Sequence, residues 1–459
     1  MKKDMIPKLL KQLVSAGNFK YDWPNFYQFE EATVTWQPLT KKEIRVQLFK
    51  AVTAVVSEDV NAYTIARLIK EIEIRPEFAE DFSGRMLKDK RIHIGDKMLD
   101  ISKDDMPLMP ASKEDFSTSA LNFHFVPDAK LEDAPNWLRF FTTTFDIPID
   151  LNGHGLAYRL EVDKVLQTSA VQRLLEFMGY AVAPPGIWGA KKMMVLLGPP
   201  NTGKSQILEV IRRVKSNRHV VPMSPADLSD RFRSSLLQEA SLLINDELPT
   251  AGLKNLDILK KTIAGEPLPT EKKGRDAVIS HPHVKMIFGG NQLPALAEPD
   301  YGDAFASRLS VVCFPKSVAE DQRDVYLADK LFAERDVIFS LCMKELQKMI
   351  HKNYQFTPDA AGDDAVRVYM SSNSSFSEFI DPKADAVEIG AVYYVRATDA
   401  YEAYTHFCDE NALVPCSKTE FKERMRQAGF KPDKGRKPEW NGRPLAYYHG
   451  IKLKKIEVA

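Results

Sequence analysis

The sequence predicts an α/β protein organised around a parallel sheet that carries a phosphate-binding loop. Three observations predict it. Residues 186 to about 350 alternate short apolar strands with helical segments, the pattern of a parallel sheet covered by helices. One apolar strand, Met193 to Leu197, runs into the octapeptide Gly198-Pro199-Pro200-Asn201-Thr202-Gly203-Lys204-Ser205 and then into an amphipathic helix. Two later apolar strands end in polar residues, Asp246-Glu247 and Asn291.

Length and composition bound the rest. A chain of 459 residues corresponds to roughly three domains at about 150 residues each. The expected division is 1–185, a mixed α/β region; 186–350, the sheet; 351–374, a linker whose TPDAAGDDAVRVYMSSNSS stretch reads as helix and linker; and 375–459, a small α/β module. With 44% hydrophobic and 27% charged residues the chain is neither disordered nor fibrous. The four cysteines, Cys313, Cys342, Cys408 and Cys416, form no C-x-x-C pair, which argues against a zinc ribbon or a secreted disulfide framework and suits a reducing compartment. The opening MKKDMIPKLLKQLV is basic but lacks the apolar core of a signal peptide. No apolar run approaches the roughly 20 residues of a membrane span. A cytoplasmic location is expected.

In the first region KKEIRVQLFKAVTAVV and TSAVQRLLEFMGYAV read as helices, and RIHIGDKMLDI and LNFHF as strands. Glu80-Asp81 and Asp104-Asp105 sit in polar surroundings and read as solvated faces, so no paired-carboxylate catalytic site is expected there.

The glycine-rich octapeptide is G-x-x-x-x-G-K-S in the strand–loop–helix setting the motif needs. Gly203 lets the backbone turn so that successive N–H groups face an anion, and the helix N-terminus adds partial positive charge. Lys204 is expected to bridge the β- and γ-phosphates, and Ser205 to offer an oxygen to Mg²⁺. An incidental glycine turn is the alternative.

The strand of Ser241 to Asn245 is expected beside the loop, with Asp246 on Mg²⁺ and Glu247 orienting and deprotonating an attacking water. Read alone, Asp246 would be an acidic helix cap. The strand Val284 to Gly290 ends in Asn291, 45 residues after Asp246, where an amide can sense the γ-phosphate or simply cap a turn. Between them, Glu271-Lys272-Lys273-Gly274-Arg275 reads as the basic tip of a β-hairpin able to grip a DNA backbone through Lys272, Lys273 and Arg275, or as a solvated turn. His281 and His283 lack further ligands and read as structural. Arg308 immediately precedes the apolar strand Leu309 to Cys313, as an arginine finger for a neighbouring subunit or an ordinary surface cation.

The formal net charge of zero hides an asymmetry. Residues 417–455 hold eight Lys and four Arg against four acidic residues. A basic tail on an otherwise acidic chain suggests a polyanion-facing module or a solvated surface. Ser417 to Gln427 reads as an amphipathic helix with Phe421 and Met425 inward and Lys418, Lys422, Arg424 and Arg426 outward. Residues 442–448 and 451–453 read as wing strands, and Trp440, Tyr447 and Tyr448 as base-stacking or core aromatics.

GPPNTGKS, SLLINDE, KMIFGGN and AFASRL fall within about 110 residues. This set resembles the superfamily 3 helicases of viruses, phages and plasmids, and more narrowly the helicase part of poxvirus- and phage-type primase–helicases. The order RIHIGDKMLDI, LNFHFVPDA, APNWLRFF, LLEFMGYAVAP upstream, and CSKTEFKERMRQAGFKPDKGRKPEW with RPLAYYHGIKLKK downstream, is similar to that family too. The resemblance implies an AAA+-like P-loop core with an N-terminal α/β collar or partner domain and a C-terminal winged-helix-like domain. It implies ATP and Mg²⁺ as cofactors and a homo-oligomer, usually a hexamer. The implied partners are single-stranded and forked DNA, and a primase or polymerase. It assigns Lys204, Asp246, Glu247, Asn291 and Arg308 to catalysis, Gly198 to Ser205 to the nucleotide, and Ser205 and Asp246 to the metal. An assembly protein controlled by ATP that binds DNA without unwinding, and a P-loop kinase or metabolic ATPase, are the other readings.

Overall fold

The structure is a computed structural model. It describes residues 5–54, 60–151, 153–216, 219–229, 233–238, 240–248, 253, 256–270, 278–294, 305–383, 386–411, 413, 415–435 and 444–454.

The chain is mixed α/β. Helix α1 (Met5–Ala16) buries Ile6, Leu9, Leu10 and Leu13, the i, i+3, i+4, i+7 stripe of an amphipathic helix. Strands β1 (Phe19–Asp22), β2 (Asn25–Glu30) and β3 (Thr35–Leu39) form an antiparallel meander. Helices α2 (Lys41–Thr53) and α3 (Ala62–Ile74) cover it, the first opened by a capping box between Thr40 and Glu43. The short α4 (Phe82–Lys88) leads into a second antiparallel sheet, β4 (Arg91–Ile94), β5 (Lys97–Asp100) and β6 (Leu108–Pro110).

LNFHF is not a strand. Leu121 makes only an isolated bridge to Ile94. Leu121 and Phe123 are buried, so the alternation is real, but the backbone donors go elsewhere. The Asn122 N–H donates to the Val214 carbonyl (2.8 Å), the His124 N–H to Asp336 (2.9 Å) and the Val126 N–H to Ser340 Oγ (2.8 Å). Beyond Leu121, whose N–H donates to the His93 carbonyl of β4, acceptors on helices, one backbone carbonyl and two side chains, take the place of a neighbouring strand.

Helices α5 (Pro135–Thr144), α6 (Gly155–Gln167) and α7 (Ser169–Val182) precede the main sheet. Its strands are β7 (Met193–Leu197), β8 (Val220–Val221), β9 (Leu242–Asn245), β12 (Lys285–Gly290) and β13 (Leu309–Cys313). They are all parallel, in the order β13-β7-β12-β9-β8. Helix α8 (Lys204–Lys215) follows β7, and α9 (Leu256–Ala264) follows β9. A two-stranded hairpin pairs β10 (Leu268–Thr270) with β11 (Val278–Ser280). Lys272, Lys273 and Arg275, between those strands, lie outside the described residues.

The sheet is covered by helices, as a parallel sheet must be. One apolar core runs from Ile92 and Trp137 through α7 and α8 to α10 (Leu327–Ala333) and α11 (Arg335–His351). It therefore contains residues from both sides of position 185. The segment read as helix and linker contains the start of α12 (Ala360–Ile380), whose Tyr369 packs with the opposite face of the sheet. Buried Arg173 of α7 donates to the carbonyls of Thr357 (2.7 Å) and Val311 (3.1 Å) and pairs with Asp363 (2.8 Å). Glu176 accepts from both the N–H and the hydroxyl of Thr357.

The last core gathers Phe376, Tyr404, Phe421, Tyr448 and Ile451. Around it lie β14 (Val387–Arg396), α13 (Ala397–Glu410), α14 (Lys418–Gln427), β15 (Pro432–Gly435) and β16 (Leu445–Leu453), the strands ordered β14-β16-β15. Phe421 and Met425 point inward as expected, but Arg424 is also buried, 4% exposed, pairing with Glu420 and lying over the Phe376 ring. Its place between them on the helix turns it toward the core. Tyr447 and Tyr448 are core residues, and Trp440 lies outside the described residues.

Candidate functional site

The loop between β7 and α8 lies at the carboxyl ends of the parallel strands, where open α/β sheets hold ligands. Its path depends on two glycines. Gly203 has φ +92°, and a Cβ there would sit 2.6 Å from the Phe140 ring. A Cβ on Gly198 would sit 2.2 Å from the Phe314 carbonyl oxygen. The stretch after β13 backs the loop. The Ser317 hydroxyl donates to the Pro200 carbonyl (2.9 Å) and the Val318 N–H to the Asn201 carbonyl (2.9 Å).

Lys204 opens α8 and folds back under the loop. Its Nζ donates to the carbonyls of Gly198 and Pro199 (both 2.7 Å) and to Thr202 Oγ1 (3.2 Å), and lies 3.5 Å from Asn291 Oδ1. All four partners are neutral oxygens. Burial pushes the Lys204 pKa below the ordinary lysine value. Ser205 is exposed one residue further on.

The acidic strand is not beside the loop strand, contrary to expectation. β12 lies between them, pairing Gly290 with Leu197 on one side and Phe288 with Asn245 on the other. The intervening strand ends at Gly290, and the next residue, Asn291, places its Oδ1 3.5 Å from Lys204 Nζ. This register puts Asp246 and Glu247 at the same end of the sheet as the loop. Asp246 Oδ1 accepts from Arg212 of α8 at 2.8 Å, and the Glu247 N–H donates to Asn245 Oδ1 at 3.0 Å. Glu247 is exposed.

Arg308 is not brought to this cluster. Its carbonyl accepts the Met193 N–H (2.7 Å), so it stands where β13 and β7 begin. The loop stands where β7 ends, about 16 Å away for a five-residue strand. Near Arg308, Lys192 donates to the Ser307 carbonyl.

Sequence reasoning missed Arg212, Phe140 and the 314–318 backing segment. Arg212 carried one usable signal: it lies two turns into the helix opened by Lys204, on a strongly apolar-patterned segment. Phe140 carried none, because its role depends on the packing of a distant helix. At the amino ends of the strands, Lys215 and Lys285 are buried. Lys215 Nζ donates to the Val182 carbonyl (2.8 Å), and Lys285 Nζ to those of Ala183 (2.9 Å) and Pro184 (2.8 Å).

A model of a family of unknown function, DUF5906, matches residues 196–308, from the end of β7 to Arg308. No curated protein matches the chain. Among solved structures, the A form apo structure of the NrS-1 C terminal region is similar at 10% identity, with a TM-score of 0.43, covering 96% of this chain and 98% of that one. A second apo structure of the same region has a TM-score of 0.44 at 10% identity, covering 98% of this chain and 100% of that one. What is established at this point is a mixed α/β chain whose five-stranded parallel sheet, flanked by helices, gathers Lys204, Asp246, Glu247 and Asn291 at one end.

Proposed function

We propose that this chain is an ATP-dependent DNA helicase of a phage, virus or mobile element, a ring-forming motor that hydrolyses ATP between subunits during replication. The observation that carries the reading is the state of Lys204. It is an ammonium at a helix N-terminus, in a glycine loop, with only neutral oxygens around it among the described residues. That donor set fits a polyphosphate, which offers the counter-charge the protein does not.

Lys204 and the N–H groups of residues 201–205 would hold the phosphates. Ser205 and Asp246 would hold Mg²⁺, and bound Mg²⁺ supplies neutralisation of charge on the transferring phosphoryl group. Glu247, exposed and beyond the end of β9, would take the proton from the attacking water. Asn291, reaching Lys204 from the strand between, would report whether the outer phosphate is present. The strand order, with β12 between the loop strand and the acidic strand, supports the AAA+-like form of this reading.

Arg308 supports the subunit-interface form. About a strand length separates it from its own loop, so an arginine finger here would have to serve a neighbouring protomer. Hydrolysis would then move the β10–β11 hairpin, whose basic segment Lys272, Lys273 and Arg275 would grip one DNA strand in the ring channel, leaving a primase or polymerase to use the product.

The test is strand displacement on a forked duplex with ATP and Mg²⁺, alongside turnover with and without single-stranded DNA. Arg308→Ala and Lys204→Ala are each expected to abolish turnover, about 10³-fold or more for the finger. Mixing the two inactive proteins is expected to restore part of it, because some interfaces regain both wild-type halves. Full turnover by Arg308→Ala, or by a strict monomer, overturns the trans mechanism. DNA binding and assembly without displacement would make the chain an assembly factor instead.

A further inference from the structure

We propose that the exposed face of α14 is a second nucleic-acid site, one that binds duplex DNA without nucleotide, separate from the strand grip of the hairpin. α14 is opened by Ser417, whose side chain accepts the Glu420 N–H. Phe421, Met425 and Arg424 are buried in the module. Lys418, Lys422 and Arg426, spaced i, i+4, i+8, are all exposed and fall in one row that flanks the buried face.

The charges on the helix are sorted rather than mixed. Glu420 is taken by buried Arg424 at 2.5 Å, and Glu423 by Arg426 at 2.6 Å. Among the described residues Lys418 and Lys422 have no carboxylate partner; Lys418 lies 5.8 Å from the centre of the Tyr401 ring. The preceding helix α13 carries Asp399, Glu402, Asp409 and Glu410 and no Lys or Arg. A polyanion would therefore meet attraction on one helix and repulsion on the other, which orients it across α14.

Shape favours a duplex over a single strand. An α-helix with its side chains is about 10–12 Å across, and the major groove of B-DNA is about 12 Å wide. The element order α12–β14–α13–α14–β15–β16, with β16 between β14 and β15, supports a winged-helix reading in which α14 is the helix offered to the groove. No aromatic is exposed on α14 itself, and the nearby Tyr447 and Tyr448 are buried, so this helix offers no ring on which a base could stack.

The experiment is fluorescence anisotropy of a short labelled duplex and a matched single strand with the full chain, without nucleotide, over a salt series. The triple variant Lys418→Gln, Lys422→Gln, Arg426→Gln is expected to lose about tenfold or more in duplex affinity. Its salt dependence should flatten by about 0.9 per lost phosphate contact. Single-strand affinity and single-strand-stimulated turnover should stay within about twofold. The Lys418→Arg, Lys422→Arg variant should bind like the parent, and the thermal melt of every variant should match it. If the triple variant melts early, Lys422→Glu alone decides. Duplex affinity unchanged in a folded variant overturns the site, as does loss of binding to anionic vesicles without loss of duplex binding. A chain with no DNA-stimulated turnover but an α14-dependent duplex affinity would refute the motor and keep this site.

Discussion

The two ends of the parallel sheet use the same chemistry for opposite purposes. At the carboxyl ends, Lys204 donates to the Gly198 and Pro199 carbonyls. At the amino ends, Lys215 and Lys285 donate to the Val182, Ala183 and Pro184 carbonyls just past the end of α7. All three are lysines holding backbone oxygens. The difference is access. Lys204 is 8% exposed in a loop whose neighbours Pro199, Pro200, Asn201 and Ser205 face solvent, so its carbonyl partners can be exchanged for an anion. Lys285 is 1% exposed and sits over the Tyr180 ring, and no anion can reach it without opening the core. On the proposed reading one end binds an anion, while the other clamps the negative end of a helix dipole.

Substitutions of the sheet-end lysines, with Glu247 beside Lys204, should therefore separate activity from stability. Alongside the loss expected for Arg308→Ala, Glu247→Gln should slow ATP turnover by about 10²–10⁴-fold while nucleotide still binds and the melt is unchanged. Turnover within about tenfold of the parent would remove Glu247 from the chemistry. Lys204→Ala is expected to weaken ATP binding by about 10–100-fold, the worth of a charge-assisted bond at about 1.5–3 kcal/mol, measured by nucleotide titration. It should leave stability equal or slightly higher, because burial already disfavours its charge.

Lys285→Met should do the reverse. It should cost about 1–3 kcal/mol in urea unfolding, by leaving buried carbonyls unpaired, without changing nucleotide affinity. The finest test is pH. Burial pushes the Lys215 pKa from 10.5 to about 7, and pushes Lys285 down as well. Between those values the unfolded chain holds a proton on Lys215 that the folded chain lacks. Stability should therefore rise with pH across that window and level off below it, by up to about 1.4 kcal/mol per pH unit for each such lysine. Lys215→Met should flatten the slope of unfolding free energy against pH by about one proton; an unchanged slope would mean Lys215 keeps its charge inside.

Much of this was legible in the residues. The loop, the strands that end at Asn245 and Gly290, and helix α8 follow from periodicity and glycine placement, which are local properties. The five-stranded order was not legible, because which strand lies next to β7 is decided by pairing across distant segments. That is why the acidic strand was expected one position too near. LNFHF failed for a related reason: apolar alternation reports a buried edge but not whether a strand or a helix side chain takes the backbone donors. Arg424 failed because helical spacing locates a face only to within one residue, and an ion pair with Glu420 let its stem cross into the core. The clamp lysines were invisible, since a lysine in an apolar strand or helix carries no mark of what it will meet.

The contact between Gly203 and Phe140 has a mechanical consequence. The ring belongs to α5, whose first N–H groups, at Asn136 and Trp137, are held by the Glu334 carboxylate just before α11. A shift of the loop by a fraction of an ångström therefore presses on a rigid aromatic. Through that ring it would push on a helix anchored to Glu334, so an anion filling the loop, as proposed, would bear on the wall behind it.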